Sequence, residues 1–314
     1  MPVRKHLSIF WQAWKETFSD FFDYKLLRMS AALAYYTVFA IVPMLIIVIS
    51  ISSVFASDQP IGTIYEQLRG YIGNDAAKLI ENMINSAKIS NSKGIAQVVS
   101  GIALMVSATG VFTEIQDSIN TIWRLRAKPK RGWLKLLINR LLSFSIIVSL
   151  GFILLVSLIL NTLLDGLSQR LYELMPEIKV YNAYLINLLL TFFTTTLLFG
   201  IIFKVLPDAK IKWRDVMNGA LITSVLFMLG KVGISYYIQN NSVISTYGAA
   251  GSIIVILLWV YYSAAILYIG AAFTRANAKL KGREIYPNQY AVWVERVEKT
   301  HIVQGNVPLN ETNT

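Results

Sequence analysis

One ammonium group, that of Lys231, lies deep inside an uninterrupted apolar run from Val216 to Ile238. About 20 apolar residues cross the ~30 Å hydrocarbon core of a bilayer, so the run is long enough to span one. A lone charge there costs ~2.5–3.5 kcal/mol on insertion scales, so something must solvate it. The chemistry open to it is electrostatic capture of a negative group. Ser224, Met228 and Ser235 share its helix face at helical steps, a small polar surface of the kind that packs helices or lines water. Side chains in a helix lean toward its N-terminus. In a helix running from cytoplasm to exterior, Lys231 therefore points back toward the midplane. Two roles stay open: a cationic binding site in a wet cavity, or a structural lysine bonded to backbone carbonyls or snorkelling to the interface.

Tyrosines and threonines form the second constellation. Tyr35 and Tyr36 lie in the first apolar run, Thr191, Thr194, Thr195 and Thr196 in the fourth, and Tyr261, Tyr262 and Tyr268 in the last. Singly they read as interhelical hydrogen-bonders and interfacial anchors. Taken together with Lys231, Ser224 and Ser235, the residues Tyr35, Tyr36 and Tyr261 are the candidate substrate-binding set. Pro43, inside the first run, is expected to kink it because it removes a backbone donor. Gly248 and Gly251, in Tyr247-Gly248-Ala249-Ala250-Gly251-Ser252, suit a tight turn and close helix approach and serve as candidate hinges. A phosphate-cradling loop is the alternative there, but neither the nucleotide-loop spacing nor a preceding strand supports it.

The elements that must hold these residues are helices in a membrane. The 314-residue chain is 55% hydrophobic and 15% charged, against about 25% charged in soluble domains. Hydropathy gives an all-α, polytopic bundle of six transmembrane helices, at about 30–55, 95–112, 141–164, 183–206, 216–238 and 252–273. Residues 1–29 precede it, with Leu7, Phe10, Trp11, Trp14, Phe18 and Phe21 at helical spacing. That segment reads as an amphipathic helix in the membrane interface, or one packed on the bundle. Between the first two spans, Ala76, Leu79, Ile80, Met83, Ile84 and Ala87 mark an extracytoplasmic amphipathic insert. Residues 276–314 form a mixed, polar tail, expected to be ordered in part at most.

Charge sets the orientation. Of the 29 Lys and Arg, 22 fall in the N-terminal segment, the 124–140 and 204–214 loops and the tail, and six in the alternate loops. The positive-inside rule then places both termini in the cytoplasm. The same rule accounts for the net charge of +11 without nucleic acid, and the basic loops favour membrane lipids with anionic headgroups as partners. The chain has no Cys, and its two His sit in opposite tails, so neither a thiolate centre nor a His-rich metal site is expected. No cofactor or metal is implied. No cleavable signal peptide is recognisable at the start.

Several segments resemble the YihY/BrkB family of bacterial inner-membrane proteins. They are Ala31-Ala32-Leu33-Ala34-Tyr35-Tyr36 with Phe39 and Pro43, and Ser118-Ile119-Asn120-Thr121-Ile122-Trp123. Further along come Leu206-Pro207 with Trp213 and Gly219, Leu229-Gly230-Lys231, and Tyr247-Gly248 leading to Leu258-Trp259-Val260-Tyr261 and Gly270-Ala271. The likeness covers most of residues 20–280. Family members often carry an acid after that Gly-Ala, where this chain has Ala272. The resemblance implies a six-span protein of poorly defined activity, once labelled ribonuclease BN. The residues argue against that label, since metal-dependent phosphodiester hydrolysis uses clustered carboxylates and histidines. The expectation is a non-enzymatic transporter of an anionic or amphipathic envelope substrate such as a lipid. The alternative is a membrane scaffold that organises envelope proteins.

Overall fold

A computed structural model describes residues 2–55, 110–128, 179–240, 249–288 and 291–295. The insert at 57–93, most of the 95–112 run, the 141–164 run, most of the basic loop and Gly248 lie outside the described residues, as do the surroundings of the side chains of Pro43 and Ser235.

The described chain is mostly helical. Helix α1 (Pro2–Asp23) leads through a short turn to α2 (Leu26–Phe55), which continues as one helix through Pro43. Lys25 makes that turn with φ of 53°. A helix over 110–122, here α3, ends at Arg124 with φ of 59° and passes into β1 (Leu125–Ala127). The hairpin of α4 (Lys179–Val205) and α5 (Trp213–Asn240) contains β2 (Ala209–Lys210) in its turn. Helix α6 (Ala249–Leu280) runs past the apolar limit at Phe273 and stops at Gly282 in the left-handed region, φ 67°. There the Arg283 N–H bonds the Ala278 carbonyl at 2.9 Å, satisfying one of the helix's last acceptors.

Beyond α6 the tail forms β3 (Tyr286–Pro287) and β4 (Ala291–Trp293). The former pairs antiparallel with β2 and the latter antiparallel with β1. The tail thus straps together the ends of α3 and α4.

Among the described residues, two helices are long and apolar enough to cross a membrane: Trp213–Ile234 of α5 and Ile254–Leu280 of α6. Half of the apolar window of α6 is buried but only 22% of that of α5. This makes α6 the central helix, packed on α1, α2 and α5, while α4 packs on α5. The core gathers Ile119, Ile122, Phe203, Val216, Tyr268 and Ala271 at the ends of these helices that meet the tail.

Candidate functional site

Small residues set how α5 and α6 cross. A Cβ on Gly219 would sit 1.7 Å from Thr274 Oγ1, and one on Gly270 would sit 1.8 Å from Thr223 Oγ1. Each helix therefore offers a glycine to the other's threonine, four residues on, so that two antiparallel helices meet backbone to side chain. Both hydroxyls turn back to their own helix, Thr223 to the Gly219 carbonyl and Thr274 to the Gly270 carbonyl, each at 2.7 Å. Farther along, Gly230 makes room for Tyr262, whose hydroxyl donates to the Leu226 carbonyl at 2.7 Å.

That register fixes the level of Lys231. Its neighbour Gly230 touches Tyr262, so Lys231 lies at the height of Tyr261 and Tyr262, about 12 Å beyond Thr223 at 1.5 Å per residue. Lys231 is half-buried, neither sealed in the bundle nor fully open, and Tyr261 is also half-buried. Ser224 is fully buried two turns closer to the tail, its hydroxyl without a hydrogen-bond partner among the described residues. The face carrying Ser224, Met228 and Lys231 continues the one that packs on α4 through Met217 and Ala220, both against Gly200. Around Lys231 that packing opens. Leu229, Val232 and Tyr236 are exposed, and among the described residues a Cβ on Gly233 would meet nothing within 4 Å.

Tyr35 and Tyr36 lie on α2, exposed, with rings 5.9 Å apart, and Tyr36 packs on Gly110 of α3. Tyr24, just before α2, meets Arg275 of α6. Counting about 1.5 Å per residue from that contact brings Tyr35 and Tyr36 to roughly the height of Tyr262. The structure therefore sets Lys231, Tyr261, Tyr35 and Tyr36 at one height on three helices and Ser224 apart from them. Gly251 lies in the first turn of α6. In the threonine cluster, Thr195 and Thr196 donate to their own helix at Thr191 and Phe192, both at 2.7 Å, so these hydroxyls belong to α4 itself.

The tail-side ends carry a polar network that the sequence reading did not single out. Asp208 is buried and accepts from Asn120 Nδ2 at 3.0 Å and Gln116 Nε2 at 3.2 Å, while its N–H donates to Asn120 Oδ1 at 2.9 Å. Trp123 Nε1 donates to the Ala271 carbonyl at 2.9 Å. Asp20 pairs with Arg275, whose guanidinium also reaches the Tyr24 hydroxyl at 3.2 Å, and Arg124 Nε reaches the same hydroxyl at 2.9 Å. Burial raises the pKa of Asp20 by more than the Arg275 charge lowers it, as expected where an ion pair is taken out of water. Asp215, in the first turn of α5 where an acid complements the helix dipole, pairs with Arg283 at 2.7 Å.

These contacts join the segments that carry the resemblance. Asn120 and Trp123 stand in one, Gly219 in the next and Gly270-Ala271 in the last, with Asp208 immediately after Leu206-Pro207. Trp123 bonds Ala271, Gly219 and Gly270 lie in the same crossing, and Asn120 holds Asp208. Ala272, where family members often have an acid, is fully buried in the core.

Residues 17–290 match the family described as Virulence factor BrkB. A UPF0761 membrane protein of Vibrio campbellii is 31% identical over 275 residues, 82% of this chain and 81% of that protein. Relatives of the same name in Stenotrophomonas maltophilia and Saccharophagus degradans are 28% and 27% identical over 83% of this chain. The chain spans 59% and 58% of the length of those two. No solved structure matches. A family match across most of the chain, a relative above 30% identity and helices apolar enough to cross a bilayer lead to one conclusion: this chain is a membrane protein of the Virulence factor BrkB family.

Proposed function

We propose that this protein translocates an anionic, amphipathic envelope substrate, a phospholipid or similar lipid, across the bacterial cytoplasmic membrane, with both termini in the cytoplasm. One observation carries the reading. Lys231 is half-buried on an otherwise apolar membrane helix, at the height where the packing of α5 opens. An ammonium group at that depth is costly unless polar or charged groups meet it, and its half-exposed position leaves it open to an anion. Tyr261 at the same height supplies a polar neighbour, and Tyr35 and Tyr36 add hydroxyls on α2. Transport needs no covalent chemistry from the chain, which agrees with its lack of Cys and the placing of its two His in opposite tails. Positive-inside charge needs no nucleic-acid partner.

The test is lipid movement by purified protein in proteoliposomes. Lys231→Met should abolish movement of an anionic lipid reporter while the protein elutes from gel filtration as the wild type does. Wild-type movement by that variant overturns the binding role. A scaffold without transport is the second reading, favoured by the exposed aromatic pair Tyr286 and Trp293 on the strap, with rings 5.6 Å apart. It predicts no lipid movement by the wild type and loss of partner association on Trp293→Ala.

A further inference from the structure

We propose that a groove between α1 and α6, separate from Lys231, holds one acyl chain of an anionic phospholipid, with Lys15 at its rim pairing the lipid phosphate. The groove is a cavity of about 560 Å³, within the ~300–1,000 Å³ range of small-molecule sites. Its wall is apolar: Trp11, Trp14, Phe18 and Phe21 of α1, with Ile269 of α6 at its base. Thr17 also faces it, but its hydroxyl donates to the Ala13 carbonyl at 2.7 Å and so offers nothing polar to the cavity.

The location points to a lipid rather than a soluble ligand. Helix α1 is fastened to α6 by Ala13 packed with Phe273 and Ala276, and by Trp14 against Phe273 at 5.3 Å between rings. Ile269 lies one turn before Phe273, on the membrane side of that contact. The groove therefore faces the hydrocarbon boundary, where tryptophans concentrate. The face of α1 that lines the groove is itself exposed and apolar along its length, at Leu7, Trp11, Phe18 and Phe22, so the helix lies where lipids crowd it.

Charge favours an anionic headgroup. The acids of α1 that face α6 are matched, Glu16 with Lys279 at 3.2 Å and Asp20 with Arg275. Lys15 is exposed, lines the groove and has no acidic partner among the described residues. A lysine at the mouth of an apolar slot, its stem along the aromatic rings and its ammonium in the headgroup layer, fits a phosphate whose chain occupies the slot.

The experiment uses the full-length protein in vesicles of non-brominated zwitterionic lipid, titrated with lipid brominated on its acyl chain, either phosphatidylglycerol or phosphatidylcholine. Quenching attributable to Trp11 and Trp14 is taken as the difference from Trp11→Phe/Trp14→Phe. Half-maximal quenching is expected at an about fivefold lower mole fraction of the anionic lipid. Lys15→Gln should bring the two titrations together, and Ile269→Phe, which fills the base of the slot, should weaken both. Equal titrations in the wild type, or a preference that survives Lys15→Gln, overturn the proposal. So does a dimer of purified protein that shields Trp11 from quenching, since a second copy would then occupy the slot. Failure here leaves transport through Lys231 untouched, and failure of Lys231→Met leaves this groove untouched.

Discussion

The α5–α6 pair is closed at one end and open at the other. Toward the strap, glycine meets threonine twice, Trp123 bonds the α6 backbone, and buried Asp208 has three hydrogen bonds with Gln116 and Asn120. Toward the far end, a Cβ on Gly233 would meet nothing within 4 Å among the described residues, Leu229, Val232 and Tyr236 are exposed, and Lys231 is half-buried. Close packing resists motion, whereas sparse contacts permit local opening. The tail-side end is thus built to hold the helices together, and the Lys231 end is the place that the proposed substrate would occupy.

The sharpest way to break this contrast is to put side chains into both ends. Gly219→Leu or Gly270→Leu forces atoms to within 2 Å of a threonine hydroxyl on the neighbouring helix. Overpacking costs ~1–3 kcal/mol and more where backbones must separate, so little folded protein should survive detergent gel filtration. Thr274→Ala should recover part of the loss caused by Gly219→Ala, because the nearest clashing atom is Thr274 Oγ1. Gly233→Ala, at the open end, should elute and melt as the wild type does. Equal damage at Gly233 and Gly219 would erase the distinction between the ends.

Polar substitutions test it next. Asp208→Ala leaves the buried Asn120 amide without its acceptor, and stability should fall by about 1–3 kcal/mol. If Lys231 serves a substrate rather than the fold, Lys231→Met removes a charge that is costly at its depth, and its melting temperature should match or exceed that of the wild type. Opposite signs for these two variants in a thermal-shift assay are the signature of a structural polar group against a functional one. Between the two ends, Tyr262→Phe loses only its bond to the Leu226 carbonyl and should cost about 0.6 kcal/mol.

Much of the helical frame was legible in the sequence, because apolar runs report membrane helices directly. The runs at 216–238 and 252–273 lie within α5 and α6, the run at 183–206 passes the end of α4 by one residue, and the aromatic spacing of 7–21 lies within α1. Of the two roles weighed for α1, packing on the bundle is seen in Trp14 against Phe273, while Trp11 and Phe18 stay exposed. The network at the tail side was not legible. Asn120 and Asp208 stand 88 residues apart, and Trp123 and Ala271 stand 148 apart. Such partners leave no periodicity, since hydrogen-bond pairing between distant segments depends on how the helices pack. The strap was hidden for the same reason: β3 and β4 are two and three residues long and are recognisable only through their partners β2 and β1. For the candidate site, the face of Lys231 and Ser224 followed from helical spacing, but the separation of buried Ser224 from half-buried Lys231 depends on where Gly200 brings α4 against α5.

The finest probe of the contrast is a carboxyl at the closed end. Glu114 of α3 accepts from the Ser118 hydroxyl at 3.2 Å and lies in the electrostatic field of Tyr268 of α6. Its pKa is raised: partial burial disfavours the carboxylate and the nearby Asp117 charge adds to this, while the Ser118 hydrogen bond works the other way. A carboxyl whose folded pKa exceeds its unfolded value favours the folded state when protonated. That contribution is complete below the ordinary carboxyl range and is lost as pH rises through the raised value. Glu114→Gln keeps an acceptor for Ser118 and removes the titration. Melting temperature measured across the acid range should therefore fall slightly with rising pH in the wild type relative to the variant, and the two curves should run parallel above the raised value. The difference should be small, because Glu114 is only half-buried and water screens what remains of its charge. A wild-type curve that instead rises against Glu114→Gln across this range would mean that the carboxylate is stabilised in place, and the closed end would then hold a cationic partner for Glu114.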